Sequence, residues 1–161
     1  MPIIEPRVRG RQSTQAGRAA GREGCSVTLV RVASYLHTMV RITDPDRARS
    51  FYEALGFRFS REMDIVREGE REATNYFFSL GEDDDVLELT FNHDGRTYEL
   101  GTGYGHIAIG VDDLDATLAR LAGQGIEPER PPYTVRAGGS RICFVRDPDG
   151  YRIELIERGR G

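Results

Sequence analysis

The strongest constraint on how this chain can fold is an internal duplication, which emerges when His37 and His106 are superimposed. Seven residues after each histidine stand Asp44 and Asp113, nine after stand Asp46 and Asp115, and nineteen after stand Gly56 and Gly125. Each histidine lies in an alternating segment, Tyr35–Ile42 and Gly105–Val111, whose period of two predicts a strand. After the first strand, Thr43 or Asp46 can cap a helix through Ala48, Phe51, Tyr52 and Leu55 that stops at Gly56. After the second, a helix through Leu114, Leu118 and Leu121 ends near Gly123 or Gly125. The halves also close alike, Val86-Leu-Glu-Leu-Thr90 matching Arg152-Ile-Glu-Leu-Ile156, with Phe78 and Phe144 each ten residues before the glutamate. Gly81-Glu-Asp-Asp-Asp85 and Asp147-Pro-Asp-Gly150 read as the turns ahead of those last strands. The fold class this predicts is α+β: two βαβββ modules, about residues 35–92 and 103–157, with curved mixed sheets and the helices outside.

The repeat accounts for residues 31–161 and leaves 1–30 without a counterpart. That leader is rich in Arg, Gly and Ala, with five arginines (7, 9, 11, 18, 22) against Glu5 and Glu23, and it has no hydrophobic period. It also lacks the apolar core of a secretory signal, so it is expected to be a disordered tail, or translated sequence upstream of the native start. All 22 basic residues are arginine, which removes Schiff-base and P-loop lysine chemistry. The 26 acidic residues leave a net charge of −4, against a nucleic-acid partner. No run approaches the roughly 18 consecutive apolar residues of a membrane-spanning helix. Two cysteines, Cys25 and Cys143, exclude a disulfide framework and fit a reducing cytoplasm.

Strand alternation says where the repeated polar residues point. Ile107, Ile109 and Val111 share a face suited to packing under a helix, leaving His106 on the other. Ile153 and Leu155 do the same for Glu154, and Leu87, Leu89 and Phe91 for Glu88. His37 shares a face with Met39 and Arg41. His37, Glu88, His106 and Glu154 are therefore expected on the concave faces of the two sheets, lining one cavity. Two imidazoles and two carboxylates form a mixed N/O donor set for a divalent first-row metal. Four protein ligands leave two places in an octahedral shell, which suits catalysis better than a closed structural site.

Four segments together resemble the glyoxalase I (lactoylglutathione lyase) family of the vicinal oxygen chelate superfamily. They are Leu36-His-Thr-Met-Val-Arg41, Leu87-Glu-Leu-Thr-Phe-Asn92, Tyr98-Glu-Leu-Gly-Thr-Gly-Tyr-Gly-His-Ile107 and Asp147-Pro-Asp-Gly-Tyr-Arg-Ile-Glu-Leu-Ile156. The resemblance covers essentially all of residues 32–158. It implies isomerisation of the methylglyoxal–glutathione hemithioacetal by proton transfer through a cis-enediolate, with His37, Glu88, His106 and Glu154 as ligands of a divalent metal. It further implies Glu154 as the catalytic base, loosening from the metal as substrate binds, with Glu88 assisting from the other face. Arg41 and Asn92 match positions that hold the γ-glutamyl end of glutathione, and Arg136 stands where the family has a lysine near the glycyl carboxylate. That last position is a departure, although arginine supplies bidentate geometry. The short segments between motifs look like the nickel- or cobalt-activated subgroup, with zinc the alternative. The family also implies a homodimer in which His37 and Glu88 of one subunit meet His106 and Glu154 of the other.

Other members of the superfamily fit less well. An epimerase, a thiol transferase or a lyase using another thiol stays open, whereas Glu88 as a fourth ligand disfavours the dioxygenases. A non-catalytic drug-sequestering protein of the same fold needs no metal set, so the four donors argue against it. Elsewhere, Gly101-Thr-Gly-Tyr-Gly105 precedes a strand and reads as a turn rather than a phosphate loop. Glu82-Asp-Asp-Asp85 reads as a solvated hairpin, His93 as a surface turn residue, and Cys143 as a core thiol.

Overall fold

The computed structural model describes residues 34–159, so the expectation of a disordered tail over 1–30 falls outside the described residues. The first module runs β1 (Thr38–Ile42), α1 (Pro45–Ala54), β2 (Arg58–Arg67), β3 (Glu70–Leu80) and β4 (Asp83–Asn92). The second runs β5 (Ile107–Val111), α2 (Leu114–Ala122), β6 (Tyr133–Thr134), β7 (Arg141–Arg146) and β8 (Arg152–Glu157). Each forms a four-stranded sheet, ordered β1-β4-β3-β2 and β5-β8-β7-β6. In each, the first strand pairs parallel with the last and the other neighbours are antiparallel. The paired βαβββ modules are therefore present, with β6 cut to two residues.

Local chemistry sets the helix limits. The cap of α1 is Asp44, whose Oδ1 accepts the Arg47 N–H at 3.0 Å; neither Thr43 nor Asp46 serves. Pro45 explains the shift, since its fixed φ and missing N–H suit the first helical position and so put the cap one residue earlier. Asp113 caps α2 in the same way, accepting from the Ala116 N–H at 2.8 Å. Both helices end in a Schellman motif: the amides of Phe57 and Gly56 donate to Tyr52 and Glu53 carbonyls, and those of Ile126 and Gly125 to Leu121 and Ala122. Gly56 and Gly125 adopt φ of +100° and +75°, a region only glycine enters freely.

The hairpin between β3 and β4 is longer than its counterpart. Glu88 pairs with Phe77, while Glu154 pairs with Phe144. Phe78, at the matching offset of ten, pairs instead with Leu87 and lies in the core. The register shift between Phe78 and Leu80 supplies the extra residue. The turn itself is Gly81–Glu82, and Asp83–Asp85 already belong to β4 rather than to the hairpin loop.

One continuous core joins the modules. Ile42, Tyr52, Phe78, Leu87 and Leu89 from the first are fully buried, as are Leu114, Leu121, Val145, Ile153 and Leu155 from the second. Each such side chain contributes roughly 1.5–3 kcal/mol by leaving water. Cys143 is buried among them. The Asp147-Pro-Asp-Gly150 turn does more than reverse the chain. Asp147 Oδ2 accepts the Tyr52 hydroxyl at 3.0 Å, and Oδ1 accepts the amides of Asp149 and Tyr151 at 3.0 and 2.8 Å. Asp149 Oδ1 accepts the Thr43 amide and hydroxyl at 3.1 and 2.6 Å. The second module is thus keyed to β1 and α1 of the first. Burial pushes the Asp147 carboxyl above its ordinary value and, together with that carboxylate, pushes the Tyr52 phenol well up.

Candidate metal centre

His37 and His106 each stand one residue before the first strand of their module. In each module the residue two beyond the histidine, Met39 or Ala108, pairs with the glutamate of the last strand, Glu88 or Glu154. The parallel pairing thereby brings each imidazole over its carboxylate. His37 Nε2 lies 2.8 Å from Glu88 Oε2, and His106 Nε2 lies 3.1 Å from Glu154 Oε2. Each histidine ring meets the edge or face of a phenylalanine on the third strand of its sheet: Phe77 at 5.9 Å and 73°, Phe144 at 5.4 Å and 75°. The glutamate side chains are largely covered, 11 % and 14 % exposed, whereas the histidines are open at 34 % and 40 %. The duplication seen in the sequence is thus a duplication of geometry.

The expected single cavity is not formed inside one chain. Among the described residues, no group of three or more His, Cys, Asp or Glu side chains is placed to hold a metal. The reason is topological: each pair belongs to its own sheet, and each sheet carries one pair. The donor atoms nevertheless fit a first-row ion. Two ligands bound at about 2.1 Å and a right angle to each other stand about 3 Å apart, close to the two His–Glu separations.

Arg41 and Asn92 are brought together by a residue that sequence reasoning did not single out. Tyr98 Oη accepts the Asn92 amide N–H at 2.6 Å, and the Arg41 guanidinium lies 5.9 Å from the Tyr98 ring centre. The only sequence signal was its place in the Tyr98-to-Ile107 segment. Arg136 is exposed in the loop between β6 and β7, and the Gly139 amide donates to its carbonyl at 3.0 Å. Its guanidinium has no hydrogen-bond or ion-pair partner among the described residues. The Gly101–Gly105 segment is a turn, as expected. His93 is exposed at the end of β4, with Nε2 2.9 Å from the Thr74 hydroxyl.

Residues 34–155 match the family model described as the Glyoxalase/Bleomycin resistance protein/Dioxygenase superfamily. The chain belongs to this superfamily. It is 44 % identical over 128 residues to a lactoylglutathione lyase of Haemophilus influenzae, covering 76 % of this chain and 90 % of that protein. It is 41 % identical over 127 residues to a probable chloroplastic lactoylglutathione lyase of Arabidopsis thaliana, covering 77 % of this chain. The match spans only 35 % of that plant protein's length. Among solved structures, a trypanothione-dependent glyoxalase I of Leishmania major superimposes with a TM-score of 0.64 at 38 % identity, covering 78 % of this chain and 86 % of that one.

Proposed function

We propose that this protein is a metal-dependent lactoylglutathione lyase, converting the methylglyoxal–glutathione hemithioacetal to S-lactoylglutathione. The observation that carries the proposal is the repeated His–Glu pair, built twice at one strand register with donor atoms spaced for a common ion. Two half-sites in one chain support a homodimer in which His37 and Glu88 of one subunit and His106 and Glu154 of its partner hold one divalent ion. Nickel or cobalt is favoured over zinc, because the segments between the motifs are short. When bound, the ion supplies Lewis-acid stabilisation of the negative charge that develops on the two vicinal oxygens of the substrate.

The remaining work falls to side chains. Glu154 takes the proton from the carbon that carries the hydroxyl and the sulfur, next to the ketone, and returns it to the neighbouring carbon, while the hydroxyl proton passes to the former ketone oxygen. Glu88 stays in place and balances the site's charge from the opposite side. Arg41 and Asn92, braced by Tyr98, hold the α-carboxylate end of the γ-glutamyl group, and Arg136 pairs with the glycyl carboxylate. With no lysine in the chain, these anionic ends have only arginine to meet them. The cysteine composition supports a cytoplasmic setting; among the described residues, no helix is long and apolar enough to cross a membrane.

The test is turnover of methylglyoxal with glutathione by the protein loaded with Ni²⁺, Co²⁺ or Zn²⁺, followed by thioester formation. Trypanothione is run beside glutathione, since the Leishmania major relative is described as dependent on it. Glu154→Gln is expected to lower kcat by about 100-fold or more. Retention of over half the activity would remove Glu154 from the role of base. Absence of turnover with every metal and thiol would overturn the proposal in favour of a binding protein.

A further inference from the structure

The two His–Glu pairs differ in what stands behind the glutamate. Glu88 uses Oε2 toward His37, and its other oxygen, Oε1, lies 3.2 Å from the Thr90 hydroxyl. The same Thr90 hydroxyl lies 3.1 Å from Oδ1 of Asn75, which comes from the neighbouring strand at the paired register position. All three side chains are buried, Thr90 to 6 % exposure. The hydroxyl has one hydrogen, and both Asn75 Oδ1 and Glu88 Oε1 lie within its reach as acceptors, so Thr90 ties the two side chains to one point. In the second module the residues at the same positions are Ile142 and Ile156, paired across β7 and β8. Neither has a polar atom in its side chain, and Glu154 has no partner among the described residues other than His106.

We propose that Thr90, backed by Asn75, is a positioning residue that holds Glu88 as the stationary carboxylate. Its replacement by the apolar Ile142–Ile156 pair leaves Glu154 free to move off and act as base. The second half of this statement rests on the proposed function; the first does not. Physically, a carboxylate held at both oxygens cannot turn without giving up a second, buried hydrogen bond, whereas one held at a single oxygen turns at the cost of one bond. The duplicated fold thus supplies two equivalent carboxylates, and one polar-for-apolar pair makes them inequivalent.

Two measurements test this. In the first, apo protein binds Ni²⁺ alone in competition with a chelator, so no turnover is involved. Thr90→Val, which keeps the shape and removes the hydroxyl, is expected to weaken Ni²⁺ binding by about tenfold or more. Thr90→Ser should stay within about threefold of wild type, because the hydroxyl is what matters. In the second, Ile156→Thr places a hydroxyl behind Glu154. Its kcat is expected to fall by about fivefold, the factor of one net hydrogen bond, with Ni²⁺ affinity no weaker than wild type. Wild-type Ni²⁺ affinity in Thr90→Val, or wild-type kcat in Ile156→Thr, overturns the inference. If Thr90→Val does not fold, Ile156→Thr decides. If the wild-type protein turns over no hemithioacetal, the function is refuted while the Ni²⁺ measurement still tests the Thr90 anchor.

Discussion

At the scale of single residues, repetition is what separates the metal-binding candidates from ordinary polar side chains. A histidine before a strand or a glutamate between two leucines says little alone. The same pair at the same register in two sheets says much more, and it was visible in the residue offsets from His37 and His106. Tyr98 and Asn75 were not visible in this way, because Tyr98 meets Arg41 and Asn75 meets Thr90 only through the fold. Tyr98 also bears the next prediction. Its hydroxyl accepts from Asn92 and its ring lies under Arg41, so Tyr98→Phe removes the hydrogen bond but keeps the ring. We expect KM for the glutathione hemithioacetal to rise about three- to tenfold, the effect of one hydrogen bond, with kcat unchanged. A fall in kcat at constant KM would place Tyr98 nearer the chemistry than the geometry supports.

At the scale of elements, the caps and Schellman ends follow from residues a few positions apart, which is why both helices were legible in outline. The register of the β3–β4 hairpin depends on an irregularity, and no local pattern announced that Phe77 rather than Phe78 would face Glu88. The Asp147 turn was legible as a turn but not as a joint. Asp147→Ala strands the Tyr52 hydroxyl, the buried Tyr151 amide and the half-buried Asp149 amide, and urea unfolding at neutral pH should show a loss of about 2–4 kcal/mol. Asp147→Asn, which keeps an acceptor for those amides, should lose clearly less. A second element-level prediction concerns acid stability. Glu129 is gripped by Arg152 through two guanidinium nitrogens at 2.7–3.1 Å, and Arg146 adds a further contact at 2.7 Å. Arg152 above all holds the Glu129 carboxyl below its ordinary value. A depressed acid stabilises the fold fully above the unfolded value, about 4.3, and loses that contribution as pH falls through the lower folded value. Glu129→Gln should therefore lower Tm at pH 7 and converge with wild type toward the acid end of a Tm–pH series. Parallel curves would mean that the clasp adds nothing through charge.

At the scale of the whole molecule, the division of the donors into two pairs predicts how subunits cooperate. If each site is shared, His37→Ala and His106→Ala are both inactive as pure dimers. Subunit exchange between them creates heterodimers in which one site is intact and the other doubly defective. Mixing and re-equilibrating equal amounts should restore about a quarter of wild-type activity. No recovery, with exchange confirmed by mass, would mean that a single chain assembles its own site.

The separation between what the residues alone specify and what the folded chain adds follows the range of the interactions. Strand periods, helix ends and the doubled His–Glu offsets are short-range or strictly repeated, so the order of residues carries the α+β modules and the four metal-binding candidates. The grouping of those four into 2.8 and 3.1 Å pairs, the meeting of Tyr98 with Arg41 and the Asp147 joint arise from segments tens of residues apart. Such contacts depend on which strands become neighbours and at what register. The difference between Glu88 and Glu154 is of the same kind: both are glutamates flanked by apolar residues, and only cross-strand pairing puts Asn75 behind one and Ile142 behind the other.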